Sequence, residues 1–393
     1  QIATRAEEAN GPGTGESHPM NQAFKSLGLA MLLNAASSAS INAGQDDDRD
    51  RLVDTIEALM QRGHFPGAAI AVTRNGEPIH ISVHGMADIS SQTAVTTQTV
   101  FEIASLTKQM TALAIMTLVS DGELSLSDKL GKFVDDIPED WAGISIRQLL
   151  AHTAGLEHRF ERTVGGVFLL EYTQEDMLAS AMATPMVAEP GTDWHYSDQG
   201  YFLLGIVIEQ ISGRPFSEFM EETFFGPLGM TQTHLLDQRR IVPDAAQGYA
   251  LHGGKLERNR RVWQFELTSH FGVMSSLDDM MLWERELSDP RVIDAEAIEA
   301  TWKINRSFST GASCDTWGYA SGWQAVVRDG MRVLTHGGYA GTAYIRAVDA
   351  GLSVIVLTNR EDTAESLSPF ALAWATAHAM DNSLPRDGYR CWE

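Results

Sequence analysis

The sequence has little of what metal sites and disulfide frameworks need. Its 393 residues include only two cysteines, Cys314 and Cys391, and their spacing does not require that they pair. It contains no CxxC, HExxH or EF-hand pattern and no clear glycine-rich phosphate loop, and its twelve histidines are scattered. We therefore expect no metal and no cofactor.

Positive charge is scarce as well. The chain has 29 basic and 52 acidic residues, which gives a formal net charge of −23. A nucleic-acid partner is not expected, because its phosphates would be repelled. The hydrophobic content of 44% is typical of a soluble globular protein, and the length is sufficient for a large core. These values leave the oligomeric state open.

Long apolar runs are missing too. The run at 27–33 is too short to span a bilayer as a helix. It follows Met20 and Lys25 and precedes small residues through Ala43, which is the order of a secretory signal peptide. We expect residues 1–43 to be a leader plus signal peptide, and the protein to be periplasmic or secreted. Residues 44–393 would form one domain without a membrane span.

The order of predicted elements indicates an α+β fold. A helix is predicted at 51–61, and strands at 68–74 and 78–84 are joined by an Asn75-Gly76 turn. Further helices are predicted at 126–133, 144–151, 174–182, 201–211, 215–224, 277–287 and 365–381. Further strands are predicted at 322–327, 332–335, 342–348 and 352–357. We predict an antiparallel sheet flanked by helices, built from about 46–124 and 300–382, with a mainly helical subdomain inserted at about 125–299.

One short motif has the residue types of a catalytic site. If a helix begins at Ser105, then Ser105 and Lys108 lie one turn apart on the same face. The serine would face the positive end of the helix dipole, and a partly desolvated lysine beside it can act as a base. The same pair also fits an N-cap serine followed by a surface lysine, so the motif alone does not decide.

Several motifs follow this pair in a specific order. They are LLAHTAGL (149–156), PGTDWHYSDQGY (190–201), FGPLGM (225–230), FGVMSSLDDM (271–280) and HGGYAGT (336–342). The ordered set resembles the serine β-lactamase and D,D-peptidase superfamily. Within it, the similarity is to the branch of class C β-lactamases, D-aminopeptidases, D,D-carboxypeptidases and β-lactamase-like esterases. The resemblance covers about residues 50–379 and implies the same α+β architecture.

The resemblance implies a role for each matched residue. Ser105 would be the nucleophile and Lys108 its activator. Tyr196 would share the role of base and protonate the leaving group. The backbone N–H groups of Ser105 and Tyr339 would form the oxyanion hole. Because a phenolate is stabilised by a neighbouring ammonium, we expect Lys108 to lower the pKa of Tyr196.

His336-Gly337-Gly338 matches the strand that carries Lys-Thr-Gly or His-x-Gly in the family. The glycines would let the substrate approach the backbone closely. His336 would either dock a substrate carboxylate or hold the hydrogen-bond network beside Tyr196. Together with Asp198, these three are the predicted substrate-binding residues.

The chain departs from the family pattern at two positions. Asp198 stands where Asn is usual, so a group that only accepts hydrogen bonds replaces an amide that can also donate them. Its charge would raise the pKa of Lys108 if the two are close. His336 stands where Lys is common, and histidine is only partly charged at neutral pH. Both departures weaken the case for a dedicated β-lactamase.

The remaining histidines and aromatic residues of these motifs have less specific interpretations. His152 is expected to be structural, because LLAHTAGL is a framework signature in the family. His195 should point away from the site if its segment is extended. Four aromatic residues either wall an apolar pocket or belong to the core: Trp194, Trp317, Trp323 and Tyr339.

The expected function is that of a serine hydrolase that acts through an acyl-enzyme. A short-chain ester or a D-amino-acid-containing peptide is the favoured substrate. One alternative is a penicillin-binding or ligand-sensing module that is acylated but barely turns over. Another is a weak class C-like β-lactamase.

Overall fold

The computed structural model describes residues 52–161, 163, 169–259, 264–308, 316–328, 330–363 and 365–385. The predicted leader and signal peptide at 1–43 lie outside the described residues, and so do Cys314 and Cys391. Those expectations stay predictions.

The helices largely follow the predicted positions. They are α1 (52–62), α2 (Thr107–Ser120), α3 (Glu139–Ala142), α4 (Ile146–Leu150), α5 (Gln174–Met182), α6 (Asp198–Ser212), α7 (Phe216–Met220), α8 (Gly226–Leu228), α9 (Leu277–Ser288), α10 (Ala295–Thr301) and α11 (Pro369–Met380). A 3₁₀ turn (Ala104–Leu106) precedes α2, and a π-helix (Glu221–Phe225) connects α7 to α8. Within the described ranges, no helix has both the length and the apolar character needed to cross a bilayer.

The strands come mainly from the two ends of the described chain. They are β1 (Gly67–Arg74), β2 (Glu77–Asp88), β3 (Thr93–Ala94), β4 (Phe101–Glu102), β5 (Glu171–Tyr172), β6 (His234–Leu235), β7 (Tyr249–His252), β8 (Lys255–Arg258), β9 (Gln264–Phe265), β10 (Val273–Ser275), β11 (Arg306–Phe308), β12 (Thr316–Tyr319), β13 (Gln324–Arg328), β14 (Met331–Gly338), β15 (Thr342–Ala347) and β16 (Leu352–Thr358).

One antiparallel sheet organises the fold. Among the described residues it has nine strands, in the order β11-β12-β13-β14-β15-β16-β1-β2-β3. The chain returns to place β16 beside β1, with Ala69 opposite Leu357 and Val72 opposite Val354. The sheet therefore combines strands from both ends of the described chain. The predicted α+β class is confirmed.

Helices cover both faces of the sheet. Ala69 and Ala71 of β1 face the larger apolar core, which includes the buried side chains of α2, α6 and α9. Ala68, Ile70 and Val72 alternate with them and face a second core with α1 and α11. Because β1 is buried on both faces, it reads as a continuous apolar run. Helix α2, which follows the Ser105 turn, is thereby fixed against the sheet.

Two local predictions in the middle of the chain were wrong. The helix expected at 126–133 contains only a 3₁₀ turn at Leu130–Lys132. Side chains of Ser125 and Asp128 bond to nearby backbone N–H groups, which favours a turn over a helix. The middle segment also contains β5 to β10, which were not predicted. The division into sheet and helical subdomains stays a prediction.

Candidate active site

Ser105 lies on a sharp turn between β4 and α2. The preceding residue, Ala104, has φ 48°, a left-handed conformation that residues other than glycine rarely adopt. Ser105 follows on the 3₁₀ turn and is half-buried. At the start of a helical segment its backbone N–H has no partner within the helix. Strain at this point is typical of functional sites, and it could not be read from an alanine in the sequence.

Lys108 is fully buried and uses its ammonium on three acceptors. Nζ lies 3.2 Å from Ser105 Oγ, 2.7 Å from Asp198 Oδ1 and 2.6 Å from the carbonyl oxygen of His270. An ammonium has three N–H donors, so all of them are engaged. Burial by itself lowers the pKa of Lys108, but Asp198 and Tyr196 together outweigh it, mainly through the Asp198 charge, and the pKa lies above its ordinary value.

Asp198 connects this buried lysine to the surface. It is the first residue of α6, its backbone N–H donates to the carbonyl of His158, and its side chain is 26% exposed. Burial raises its pKa, but the charge and hydrogen bond of Lys108 together with the neighbouring His270 and His158 more than compensate, and the pKa lies below its ordinary value. The sequence predicted that Asp198 binds substrate; in the structure its Oδ1 binds Lys108.

Tyr196 stands beside this group. The centroid of its ring lies 4.9 Å from Lys108 Nζ, and its hydroxyl is near enough to Ser105 and Lys108 for both to favour the phenolate. The predicted direction of its shift was nevertheless wrong. Burial raises the pKa of Tyr196 by more than Lys108 lowers it, so the pKa lies above the ordinary value. Tyr196 is therefore a neutral phenol in the resting site.

His336 is buried next to Tyr196 and is not a cation. Its Nδ1 lies 2.8 Å from the carbonyl oxygen of Gly337, and its Nε2 lies 3.2 Å from the hydroxyl of Tyr319. Burial lowers its pKa to about 4. A neutral imidazole cannot attract a carboxylate by charge, which disfavours the first predicted role. The arrangement agrees with the second, because the ring centroids of His336 and Tyr196 are 6.0 Å apart.

The two glycines after His336 have a reason other than the predicted one. A Cβ on Gly337 would lie 2.1 Å from the ring of Phe370 on α11. A Cβ on Gly338 would lie 2.3 Å from the carbonyl oxygen of Ile103, just before the Ser105 turn. The glycines thus permit close packing of β14 against α11 and against the turn that carries Ser105.

This packing brings the predicted oxyanion donors to one end of β14. Thr342 Oγ1 donates to the carbonyl of Ile103 at 2.9 Å, which ties the start of β15 to the Ser105 turn. Tyr339 follows Gly338 directly, and no acceptor for its backbone N–H is found among the described residues. The N–H groups of Ser105 and Tyr339 are therefore available to a negatively charged oxygen.

The other singled-out aromatic residues have different positions. Trp194 and Trp317 are half-buried and pack against Phe308, with ring centroids of Trp194 and Tyr196 6.4 Å apart. Trp323 is buried in the core. Tyr339 is 64% exposed. Of the four, only Trp194 and Trp317 lie in a half-exposed aromatic cluster adjoining the site.

The two histidines differ as the sequence suggested. His195 is exposed. His152 is buried, and its Nδ1 accepts the backbone N–H of Ser197 at 3.0 Å. This bond holds the segment between Tyr196 and Asp198, and the His152 and Tyr196 ring centroids are 4.4 Å apart. His152 thus fixes the backbone that carries Tyr196 and Asp198.

Sequence reasoning did not single out three residues that contact the site. His158 Nδ1 lies 3.8 Å from Asp198 Oδ2, His270 supplies a backbone carbonyl to Lys108, and Tyr319 bonds to His336. A backbone acceptor such as that of His270 leaves no signature in residue types.

Two other kinds of site were possible among the described residues: a surface groove away from Ser105 and a metal site. A groove of about 690 Å³, lined by Glu209, Arg214 and Asp237 among others, includes none of the predicted site residues. In the part of the chain that the structure describes, no three His, Cys, Asp or Glu side chains are grouped to hold a metal ion.

Comparison with known proteins identifies the family of this chain. The family model described as Beta-lactamase matches residues 52–377. Protein flp of Staphylococcus aureus (strain MRSA252) is 28% identical over 282 residues, which is 70% of this chain but 56% of that protein. The chain therefore spans little more than half the length of this relative. A penicillin-binding protein of Bacillus subtilis (strain 168) is 27% identical, over 82% of this chain and 74% of its own length.

Solved structures share the fold. The octameric penicillin-binding protein homologue from Pyrococcus abyssi superposes with a TM-score of 0.75 and 25% identity, over 87% of this chain and 79% of that one. EstCE1, a hydrolase with promiscuous acyltransferase activity, has a TM-score of 0.70 and 21% identity over 88% and 99% of the two chains. The D-amino acid amidase from Ochrobactrum anthropi SV3 has a TM-score of 0.69 and 23% identity over 85% and 99%. The last two likenesses concern the fold alone.

Proposed function

The chain belongs to the β-lactamase family, and on that premise we propose that it is a serine hydrolase that works through an acyl-enzyme. The observation that carries the proposal is the 3.2 Å contact between the half-buried Ser105 hydroxyl and a lysine with no exposed side-chain surface. A surface lysine after an N-cap serine would be solvated, and this one is not. A buried amine beside a hydroxyl is an arrangement that activates a nucleophile.

The proposed reaction uses the side chains in named roles. Ser105 Oγ attacks the carbonyl carbon of an ester or amide. The proton of its hydroxyl passes to Lys108. The N–H groups of Ser105 and Tyr339 stabilise the oxyanion of the tetrahedral intermediate. Tyr196, a neutral phenol in the resting site, donates a proton to the leaving group. Water then attacks the carbonyl carbon of the acyl-enzyme, its proton passes through the same side chains to Ser105 Oγ, and the bond from Oγ to the acyl group breaks.

The charges near Ser105 favour a substrate without a carboxylate at the scissile bond. His336 is neutral because its pKa is lowered to about 4, and the Asp198 carboxylate is partly exposed. Neither group would attract the carboxylate of a penicillin. The half-exposed Trp194 and Trp317 beside the site suit an apolar group. We therefore favour a short-chain ester or a D-amino-acid-containing peptide over a β-lactam.

A second candidate is a penicillin-binding or sensing module with negligible turnover. Two of the similar proteins are described as penicillin-binding, and the Lys108–Asp198 ion pair would disfavour a neutral lysine for deacylation. Such a module would be acylated at Ser105 and would keep the added mass. A weak class C-like β-lactamase would instead release the product slowly.

Turnover by purified protein tests these possibilities. The substrates are p-nitrophenyl butyrate, a D-alanyl p-nitroanilide and a chromogenic cephalosporin, each assayed with the wild type and Ser105→Ala. Ser120→Ala, at the other end of α2, is the matched serine control. We expect turnover of the ester or the anilide that is lost in Ser105→Ala only. Turnover that survives Ser105→Ala would contradict the proposal, and a stable acyl adduct without turnover would favour the module.

Export remains part of the proposal and has its own test. The complete chain is expressed in a Gram-negative host, and the amino terminus of the protein from the periplasmic fraction is determined. A terminus near residue 44 would support a signal peptide that is removed on export. Protein that stays in the cytoplasm with residues 20–43 intact would argue against it.

A further inference from the structure

Hydrogen bonds connect Ser105 through Lys108 to Asp198, and His158 lies beyond Asp198 toward the surface. Ser105 Oγ lies 3.2 Å from Lys108 Nζ, and Lys108 Nζ lies 2.7 Å from Asp198 Oδ1. The other carboxylate oxygen, Oδ2, lies 3.8 Å from Nδ1 of His158. Exposure of the side chains rises in this order, from 0% for Lys108 to 26% for Asp198 and 40% for His158.

The Lys108–Asp198 ion pair poses a problem for a lysine acting alone. In the ion pair Lys108 is an ammonium, and an ammonium has no lone pair with which to accept the proton of Ser105. Its three hydrogens are bonded to Ser105, Asp198 and His270. A proton must therefore leave Nζ before the serine proton can arrive. Of the three partners, only Asp198 is a group that can take it.

We propose that Lys108 and Asp198 act as one base, in which Asp198 holds the proton displaced when Ser105 is deprotonated. This inference rests on the proposed function and names a further catalytic group for it. Asp198 then accepts the proton that Lys108 gives up, a role that differs from the predicted one in substrate binding.

The step balances as follows. One Nζ–H bond of Lys108 breaks toward Asp198 Oδ1, where an O–H bond forms. The resulting neutral amine takes the proton of Ser105 while Oγ forms its bond to the carbonyl carbon. The site then holds a protonated Asp198, an ammonium at Lys108 and the oxyanion, so its total charge is unchanged. Return of the Asp198 proton through Lys108 accompanies protonation of the leaving group, and the ion pair is restored.

Burial lowers the energy cost of moving a proton from Lys108 to Asp198. Two opposite charges in a low-dielectric site are costly to desolvate, which brings the neutral amine–carboxylic acid pair closer in energy to the ion pair. The titratable groups that face Asp198 are Lys108, Tyr196, His158 and His270. The groups that face Lys108 from the other side are Tyr201, His152 and His336. None of these groups carries a charge as close to Lys108 as Asp198 does.

The pH dependence of Ser105 acylation tests the proposal. The probe is an alkyl fluorophosphonate, whose addition to Ser105 is followed by intact mass, so that the rate is measured even if no substrate turns over. The wild type, Asp198→Asn and Asp198→Glu are compared from pH 5 to 10. Asp128→Asn is the matched control, since it removes the carboxylate of a surface Lys–Asp pair with a 3.0 Å contact. Circular dichroism verifies that each variant is folded.

The expected results are specific. The wild type and Asp128→Asn should label at a rate that varies less than threefold between pH 6 and 9. Asp198→Asn should label at least tenfold more slowly at pH 6 and recover as the pH rises, because its lysine must lose a proton to solvent first. Asp198→Glu should keep at least a third of its pH 9 rate at pH 6, since it retains a carboxylate.

Three outcomes would overturn the proposal. Asp198→Asn could label at pH 6 as fast as the wild type or faster, which would make Asp198 only a counter-ion that suppresses the lysine. Its rate could be reduced equally at all pH values, which would indicate a structural role. The wild-type rate could rise tenfold per pH unit up to pH 9, as for a free lysine. A failure of the proposed function is distinct: the wild type would then label no faster than Ser105→Ala.

Discussion

The hydroxyl of Tyr319 donates a hydrogen bond to Nε2 of His336 across a distance of 3.2 Å. The direction follows from the other nitrogen: Nδ1 faces the carbonyl oxygen of Gly337, which can only accept, so Nδ1 carries the hydrogen. Both ring nitrogens are thus satisfied in the neutral form. This pairing stabilises the neutral imidazole in the strand beside Ser105.

Neutral burial of His336 should make stability depend on pH. Its folded-state pKa of about 4 lies below the ordinary value of 6.5, so the unfolded chain binds this proton more tightly. The contribution is complete above pH 6.5 and is lost as the pH falls toward 4. Between pH 7 and pH 5 it amounts to about 2 kcal/mol.

Urea unfolding at pH 7 and pH 5 checks this expectation. The wild type should lose about 2 kcal/mol more than His336→Gln over that interval. His195→Gln, which changes an exposed histidine, should behave like the wild type. An equal pH dependence in the wild type and His336→Gln would show that His336 is charged in the folded state.

Tyr196→Phe should separate proton donation from nucleophile activation. Because the phenol is neutral, we expect it to act mainly as the acid that protonates the leaving group. The loss in kcat should be about 100-fold or more for an alkyl ester and much smaller for a p-nitrophenyl ester, whose leaving group needs no proton. Tyr249→Phe, which removes a phenol bonded to Asp88, is the control. Equal losses on both esters would instead assign Tyr196 to the attack step.

Gly338→Ala should disturb the oxyanion site through the backbone. Its Cβ would lie 2.3 Å from the carbonyl oxygen of Ile103 and from Thr342 Oγ1, so β14 must move away from the Ser105 turn. We expect a loss of about 1–3 kcal/mol in stability and a drop in kcat with little change in KM. Gly143→Ala, where no atom lies within 4 Å of the added Cβ, should change neither property appreciably. A fully active Gly338→Ala would mean that the oxyanion donors do not depend on this packing.

Much of the fold and part of the site could be predicted from local patterns. The Ser105–Lys108 spacing on a helix, the hairpin at Asn75-Gly76 and the hairpins that join β13 to β14 and β15 to β16 are short-range features. Tyr196 was predicted from the PGTDWHYSDQGY motif that contains it. In each of these cases the information lies within a few residues of the position that was predicted.

The remainder depends on contacts that no local pattern encodes. Lys108 and Asp198 are ninety positions apart in the chain, so only the fold shows that the carboxylate serves the lysine. The shift in the pKa of Tyr196 depends on how deeply it is buried, which the residue type does not give. The reason for Gly337 is Phe370, which comes from another element of the fold.

A buried ion pair between α9 and β15 gives the last prediction. Arg346 of β15 is bonded to Glu284 of α9, which also accepts from the hydroxyl of Tyr344, and the side chains of Arg346 and Glu284 are 8% and 0% exposed. Removing one partner leaves a buried charge without its counter-ion. Arg346→Met or Glu284→Leu should therefore each cost about 3–5 kcal/mol of unfolding free energy.

The double variant Arg346→Met/Glu284→Leu distinguishes this explanation from a loss of packing. It contains no unpaired charge, so its stability should return to within about 1–2 kcal/mol of the wild type, far less than the sum of the single losses. Urea unfolding of the four proteins at pH 7 completes the cycle. Additive losses would show that each side chain contributes mainly through its own packing, as Arg346 does over the ring of Trp302 at 5.1 Å. A strong interaction between the two changes would show that the attraction across the α9–β15 interface fixes this helix against the sheet.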